Sequence, residues 1–342
     1  MTSLHPLRFR GYREQAVRTG PETVHLDVTN ACNLDCVTCW NYAPTLDTPK
    51  SVAWKRQRID PEVFHRVLNE VVAAGAERIV LSGGGEPFTH PDIEDFIAAV
   101  KARGLKLTVI TNGTLCDFRR LRELRVDQVL LNTCAGTPET YAAYHPNQPK
   151  ETFHRLVEGC RVLRGVTAVN MVQVINGLTA HDLVRMVDVA AEVGARVSFK
   201  VGDLPHGTRH FALTGAQRAE LLDTLLPAAR KRAKALEVRT NVDAFERQLR
   251  REKEHLPPCF AGYLYSRVAV DGRVFFCCAH LEVGHVDDGT FDEVWRGPRY
   301  EAMRQTMHQG GTFTACERCG KHDMNVAAER ELARLADEGA LG

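Results

Sequence analysis

Six strand-type segments recur along the first part of this chain, at 24–29, 78–82, 106–111, 128–133, 168–175 and 196–201. Helical patterns separate most of them, at 92–103, 118–124, 151–162 and 181–193, with a further helix opening at Asp60-Pro61 and ending near Gly75. In that helix Val63, Phe64, Val67, Leu68, Val71 and Val72 recur at helical spacing, behind an Asp suited to an N-cap and a Pro suited to the first turn. Strands alternating with helices through mostly short connections constrain the fold strongly. They demand a parallel sheet with the helices packed outside it. About six such units make a complete or partial barrel, whose ligands bind at the C-terminal ends of the strands. The predicted fold class is α/β, a partial parallel (β/α)6 TIM-like barrel followed by a small Cys-rich domain.

Beyond the alternation, 214–253 reads as mostly helical, with a possible strand at 236–242. Pro257-Pro258 marks a boundary, and 259–322 is Cys-rich with a hairpin signal at Asp271-Gly272. The segment 325–338 has the pattern of a charged amphipathic helix. The expected division is an extension at 1–22, a barrel at 23–210, a helical connector at 211–256, an auxiliary domain at 257–324 and a terminal helix at 325–342. The formal net charge of +1 provides no broad basic field for nucleic acid or an anionic membrane. No secretory h-region and no membrane-spanning apolar run stand out, so the expected location is the cytoplasm.

In that compartment the 11 cysteines call for metal rather than disulfides. Cys32, Cys36 and Cys39 sit in one loop directly after the first strand. Three thiolates there can converge on a soft metal centre and leave it one protein ligand short of four, open to a small molecule. The Gly-rich turn Gly83-Gly84-Gly85-Glu86-Pro87 follows the next strand at the same end. A second group comprises Cys259, Cys277, Cys316 and Cys319, with Cys278 beside it. Zinc remains an alternative for either group, more so for the second, where four thiolates would complete a tetrahedral site.

The order Cys32-x3-Cys36-x2-Cys39, then Gly84-Gly85-Glu86-Pro87, then Thr111-Asn112-Gly113-Thr114 resembles the radical S-adenosylmethionine (radical SAM) superfamily. The resemblance implies that the first cysteines hold a [4Fe-4S] cluster whose open iron takes the methionine part of S-adenosylmethionine. It also implies that Gly84, Gly85, Glu86 and Pro87 contact that cofactor. Reduction by a flavodoxin- or ferredoxin-type donor then cleaves it to a 5′-deoxyadenosyl radical, which abstracts hydrogen from a C–H bond. The family commonly places an aromatic residue just before the third cysteine, where this chain has Thr38; Trp40 is expected to stand in against the adenine. The segment from Cys259 through Trp295 to Cys319 looks like a SPASM or twitch domain. With four cysteines it is expected to close one auxiliary [4Fe-4S] cluster serving electron transfer or structure.

Other candidates lie at strand ends. Asn112, Asn132 and Gln173 are expected to bind the cofactor, while Lys200 and Asp203 are expected to supply acid–base steps. Cys278 is an alternate ligand, a hydrogen donor or an inert thiol. The expected reaction is dehydrogenation of a small polar substrate of sugar, aminocyclitol or nucleoside type, because a substrate radical can pass its last electron to the auxiliary cluster. Decarboxylation or epimerisation is the alternative, followed by peptide modification, which the short extension before the first strand disfavours. A non-catalytic electron carrier or zinc protein is the rival from another class.

Overall fold

The computed structural model describes residues 4–202, 204–250, 257–277, 281–314, 316 and 319–341. Six strands form in chain order: β1 Thr23–Thr29, β2 Arg78–Gly83, β3 Lys106–Thr111, β4 Gln128–Asn132, β5 Ala168–Ile175 and β6 Arg196–Val201. Each is hydrogen-bonded in parallel to the one before it. Every crossover therefore steps to the next neighbour in the same direction. Right-handed crossovers that never reverse lay all their helices on one face of the sheet and leave the other face for ligands.

Side-chain burial follows that asymmetry. Val24, Leu26, Ile79, Leu81, Leu107 and Val109 are fully buried in the main core. Against them packs the helix Pro61–Ala73, whose buried face carries Phe64, Val67, Leu68 and Val71. Asp60 begins this helix by accepting hydrogen bonds from the backbone N–H groups of Glu62 and Val63. Each of those buried apolar side chains contributes about 2 kcal/mol.

The Cys-rich segment does not form a separate layer. Strand β7 (Tyr265–Val268) adds to the free edge of β1 in parallel, and β8 (Arg273–Phe275) and β9 (Glu282–His285) continue it as an antiparallel meander. The result is one open nine-stranded sheet in the order β6-β5-β4-β3-β2-β1-β7-β8-β9. An unpaired β1 would expose a row of backbone donors and acceptors, and β7 satisfies them. The predicted hairpin turn is present, with Gly272 at φ +84 where an L side chain is strained. The possible strand at 236–242 is reduced to a single bridge between Thr240 and Val197.

The N-terminal extension contains a helix, His5–Glu14, that its polar sequence does not announce. Arg8 on this helix is 2% exposed. It donates to the carbonyls of Gly20 and Gly75 and to Glu77, so its buried charge is fully partnered. Phe9 and Tyr12 pack on Phe260, next to Cys259. Phe9 also joins Leu264, Ala328 and Leu335 in a small core beneath the helix His322–Asp337. The extension thus braces the C-terminal segment. Among the described residues, no helix is long and apolar enough to cross a membrane.

Candidate active site

At the C-terminal end of β1 the register slips between Asp27 and Thr29, and the chain turns into the cysteine loop. Two neighbours fix this turn. Asn30 is held by the backbone carbonyl and side-chain oxygen of Gln57, and its own carbonyl accepts from the Tyr42 hydroxyl. The Gly-rich turn after β2 crosses directly over it: the N–H of Glu86 donates to Ala31 O at 2.8 Å, and Asn41 Nδ2 donates to Gly84 O at 2.8 Å. A Cβ on Gly85 would stand 1.9 Å from Ala31 O, and one on Gly83 1.9 Å from Thr29 O. The glycines are needed for the approach of backbone to backbone at the cysteine loop itself.

Glu86 links three loops. It is 2% exposed, and its carboxylate accepts from Thr111 Oγ1 at 2.6 Å, from Asn112 N at 2.7 Å and from Phe88 N at 3.2 Å. Burial pushes its pKa up to about 7 despite those three donors. Asn112 binds Thr114 through Oδ1 and donates from Nδ2 to Asn33 Oδ1, inside the cysteine loop. Asn33 in turn donates to Thr114 Oγ1 at 2.7 Å. Three strand ends that are remote in sequence are locked around one loop.

The cysteines respond to this enclosure. Burial pushes the Cys32 thiol up to about 12 and raises Cys36 and Cys39 as well. Cys36 is raised further by Cys39, Cys134 and Cys32 around it, so the three thiols share one neighbourhood. The N–H of Leu34 lies 3.4 Å from Cys32 Sγ, and that of Asn41 lies 3.4 Å from Cys39 Sγ. Donors aimed at sulfur favour thiolate, while burial without a cation disfavours it. A cationic iron–sulfur group among the three removes that conflict, because metal binding displaces the thiol protons. The site fits such a group.

The other predicted site residues fall differently. Trp40 is 59% exposed. Thr38 is buried instead and pairs with the Tyr144 hydroxyl. Tyr144 belongs to a helix, Pro138–Tyr144, that brings it beside Cys36 and Cys134. Gln173 is fully buried, donating to Thr133 Oγ1 and accepting from the N–H of Ala135. It positions the loop after β4. Asn132 ends β4 exposed and accepts from Cys134 Sγ, and Lys200 is exposed on β6. Asp203 and Cys278 lie outside the described residues.

The open face of the sheet carries a polar group that the motifs do not indicate. Arg267 on β7 donates from Nε and Nη2 to Asp27 Oδ2 on β1, at 2.9 and 2.5 Å. His25 stands with Nε2 3.3 Å from Asp27 Oδ1 and shares a hydrogen bond with the Tyr265 hydroxyl through Nδ1. Desolvation lowers the His25 pKa and keeps the ring neutral; its partners hold the Asp27 carboxyl below its ordinary value despite burial. Asp27 Oδ1 and His25 Nε2 are buried without a well-aligned hydrogen bond. The alternation Val24-His25-Leu26-Asp27-Val28 was the available signal, since a parallel strand covered on both faces reads as continuously apolar.

Three members of the second cysteine group, Cys259, Cys316 and Cys319, come together although Cys259 lies far from the other two in the chain. Burial pushes Cys259 up to about 11, with Cys319 and Cys316 adding to the rise, so these three are neighbours. The N–H of Phe313 lies 3.4 Å from Cys316 Sγ. Cys277 follows β8 and is felt by the buried Tyr300 hydroxyl. Asn325, 2% exposed, accepts from the N–H of Phe260 beside Cys259.

Comparison with known proteins agrees with this arrangement. Residues 26–190 match the radical SAM superfamily, and residues 259–320 match the SPASM iron–sulfur cluster-binding domain. The chain is 27% identical over 324 residues to a PqqA peptide cyclase of Ruegeria pomeroyi, covering 87% of this chain and 80% of that one. It is 24% identical over 335 residues to an AdoMet-dependent heme synthase of Methanosarcina barkeri, covering 88% and 90%. In fold it is similar to Streptococcus suis SuiB bound to S-adenosylmethionine, with a TM-score of 0.62 at 16% identity over 84% of this chain and 68% of that one. With its three-cysteine loop interlocked with the Gly-Gly-Glu-Pro turn, and with Cys259, Cys316 and Cys319 brought together within residues 259–320, this chain belongs to the radical SAM superfamily, carries a C-terminal SPASM domain, and is a radical SAM enzyme using S-adenosylmethionine and [4Fe-4S] clusters.

Proposed function

We propose that this enzyme dehydrogenates a small polar substrate, with Cys32, Cys36 and Cys39 holding the catalytic cluster and Cys259, Cys277, Cys316 and Cys319 holding one auxiliary cluster. The bound cofactors supply a hydrogen-abstracting radical and take up the final electron. The chain's part is to bind, orient and deprotonate. The observation that supports this reading is the Asp27–His25–Arg267 group on the open face, on strands that lead to both cysteine groups. Buried acceptors without aligned partners are rare, and a substrate hydroxyl would satisfy Asp27 Oδ1. Loss of hydrogen from the carbon makes that hydroxyl more acidic, so an ionised carboxylate beside it accepts the proton. His25 first and Arg267 after it hold the Asp27 carboxyl below its ordinary value despite burial, which favours the ionised form that accepts the proton.

The test is anaerobic reconstitution followed by incubation with S-adenosylmethionine, dithionite and C-deuterated sugars or aminocyclitols. Deuterium should appear in 5′-deoxyadenosine and a ketone in the substrate. Asp27→Asn should keep the deuterium transfer and lose the ketone. Deuterium arriving only from a labelled peptide would overturn the small-molecule reading. A second reading, radical modification of a peptide, is favoured by the peptide cyclase among the relatives and by the fold shared with SuiB, one of whose structures is bound to its precursor peptide SuiA.

A further inference from the structure

The end of the sheet opposite the cysteine loops carries a cavity of about 540 Å³, where β5 and β6 begin. Three connections wall it. One runs from the helix Glu151–Leu163 into β5, the second from the helix Leu183–Val193 into β6, and the third follows the helix Leu226–Ala235. Each turns through a left-handed residue: Gly165 at φ +79, Gly194 at φ +70 and Glu237 at φ +56. The third connection is tied to β6, where the N–H of Val197 donates to Arg239 O at 3.1 Å. Three helices thus end at one hollow, and the C-terminal end of a helix is negatively polarised, which favours cations there.

Each connection supplies one arginine to the wall: Arg164, Arg196 and Arg239. Other arginines of these helices are paired: Arg161 with Glu158 and Glu192, and Arg185 and Arg232 both with Asp188. Arg164, Arg196 and Arg239 make no side-chain hydrogen bond or ion pair among the described residues. Glu237 is the one acid among the described residues that line the hollow. The Arg164 side chain reaches across to the second connection, its Nε 3.2 Å from where a Cβ on Gly194 would stand. Guanidinium groups drawn from three segments into one hollow repel one another and focus a positive field there. Thr167 lines the same hollow, is 5% exposed, and ends in a hydroxyl that is buried without a hydrogen-bond partner. Buried hydroxyls normally have one.

We propose that this hollow binds a small organic phosphate, a sugar phosphate with or without a base. The planar guanidinium fork matches phosphate oxygens in pairs. A phosphate monoester carries close to two negative charges at neutral pH, which balances the excess of three arginines over Glu237. The volume lies within the range of small-molecule sites and is larger than a bare phosphate fills. Val166, Val169, Val193 and Val238 on the wall suit the carbon part of the ligand, and a ligand oxygen gives the Thr167 hydroxyl its missing partner. Because the hollow lies at the opposite strand ends, its occupant does not compete with S-adenosylmethionine.

The test is calorimetric titration of the reconstituted protein, already saturated with S-adenosylmethionine, with AMP, ribose 5-phosphate and inorganic phosphate at low salt. At least one of the two esters should bind once per chain and more tightly than inorganic phosphate. Tighter binding of AMP would identify a nucleotide; equal binding of the two esters would identify the sugar phosphate as the part recognised. Arg164→Gln and Arg239→Gln should each weaken ester binding about 10-fold, and Thr167→Val by a smaller factor. The urea midpoints of the two arginine variants should stay at the wild-type value, since neither side chain has a partner in the fold to lose. Failure of both esters to bind would overturn the assignment. So would an ester affinity in R164Q/R196Q/R239Q equal to that of the wild type. Inorganic phosphate bound as tightly as either ester would also overturn it, because the hollow would then hold an adventitious ion only.

Discussion

The two cysteine groups are built by opposite means. The first draws its thiols from eight consecutive residues and relies on neighbouring strand ends to hold that loop in shape. The second draws them from 61 residues and relies on whole elements to bring them together. Around Cys32, Cys36 and Cys39 the restraints are short and polar: the Glu86 carboxylate, the Asn33–Asn112–Thr114 network and the glycine turn over Ala31. Around Cys259, Cys277, Cys316 and Cys319 they are the N-terminal helix, the β-meander and Asn325 on the last long helix. A loop held by its own neighbours can present an open coordination site without moving. A site assembled from distant elements is suited to a closed cluster, which itself helps to hold those elements together.

The largest effect should come from separating the two groups chemically. Cys32→Ala, Cys36→Ala and Cys39→Ala should each reduce 5′-deoxyadenosine formation to background. Cys316→Ala or Cys319→Ala should lose about four irons of about eight but retain dithionite-driven cleavage. Iron and sulfide counts beside a chromatographic assay for 5′-deoxyadenosine make the check. Cleavage surviving in all three of the first variants would end the assignment.

The Asp27–Arg267 pair joins the strand that leads to the first group with the strand that follows Cys259. Removing one partner of a buried ion pair leaves the other charge uncompensated. Arg267→Met should therefore cost about 4 kcal/mol of stability, read from urea unfolding. The double variant D27L/R267M should recover much of that loss. No recovery would mean that the pair does not couple the two strands.

Gly85→Ala attacks only the first group. Its Cβ would overlap Ala31 O at 1.9 Å, and backbone on both sides leaves little room to yield. The expected cost is about 3 kcal/mol, with iron lost from the first site and retained at the second. Gly310, at φ +75 with open space around its Cβ position, is the control near the second group. Alanine there should cost about 1 kcal/mol through backbone strain alone.

Acid should also act on the first group before the second. His145 is 2% exposed beside Tyr144, and burial lowers its pKa to about 4. The unfolded chain protonates this ring at its ordinary value, and the folded chain does not. Stability is therefore full above about pH 6.5 and declines as pH falls toward the folded value, by about 2 kcal/mol at pH 5. His145→Asn should flatten that part of the pH profile of the urea midpoint. An unchanged slope would show that the ring titrates in the fold much as it does in the unfolded chain.

The same contrast explains what could be read in advance. The six parallel strands, the cysteine loop and the glycine turn were legible because each depends on local periodicity or on spacings of a few residues. The hairpin turn at Asp271-Gly272 was legible for the same reason. The addition of β7 to β1 was not, since it pairs residues 242 positions apart. Nor was the burial of Thr38 against Tyr144, 106 positions away. Gln173 shows the limit for single residues. A polar side chain at a strand end suggested ligand contact, yet both ends of its amide are used inside the fold. Trp40 shows the converse, as an aromatic near a cofactor loop that faces solvent. Sequence indicates where such a side chain begins and not which way it turns.

The smallest change isolates how the second group is held. Asn325 offers its side-chain oxygen to the N–H of Phe260 from the helix His322–Asp337, 65 positions along the chain. Asn325→Ala leaves that buried N–H without its acceptor, at an expected cost of about 1 kcal/mol. If distant elements and not local loops shape this site, the loss should loosen Cys259 first. The auxiliary iron should then be lost faster to a chelator, while the iron of the first group leaves at the wild-type rate. Equal acceleration at both sites would mean that the two groups share one cooperative unit, and that the difference in their construction has no consequence for how they come apart.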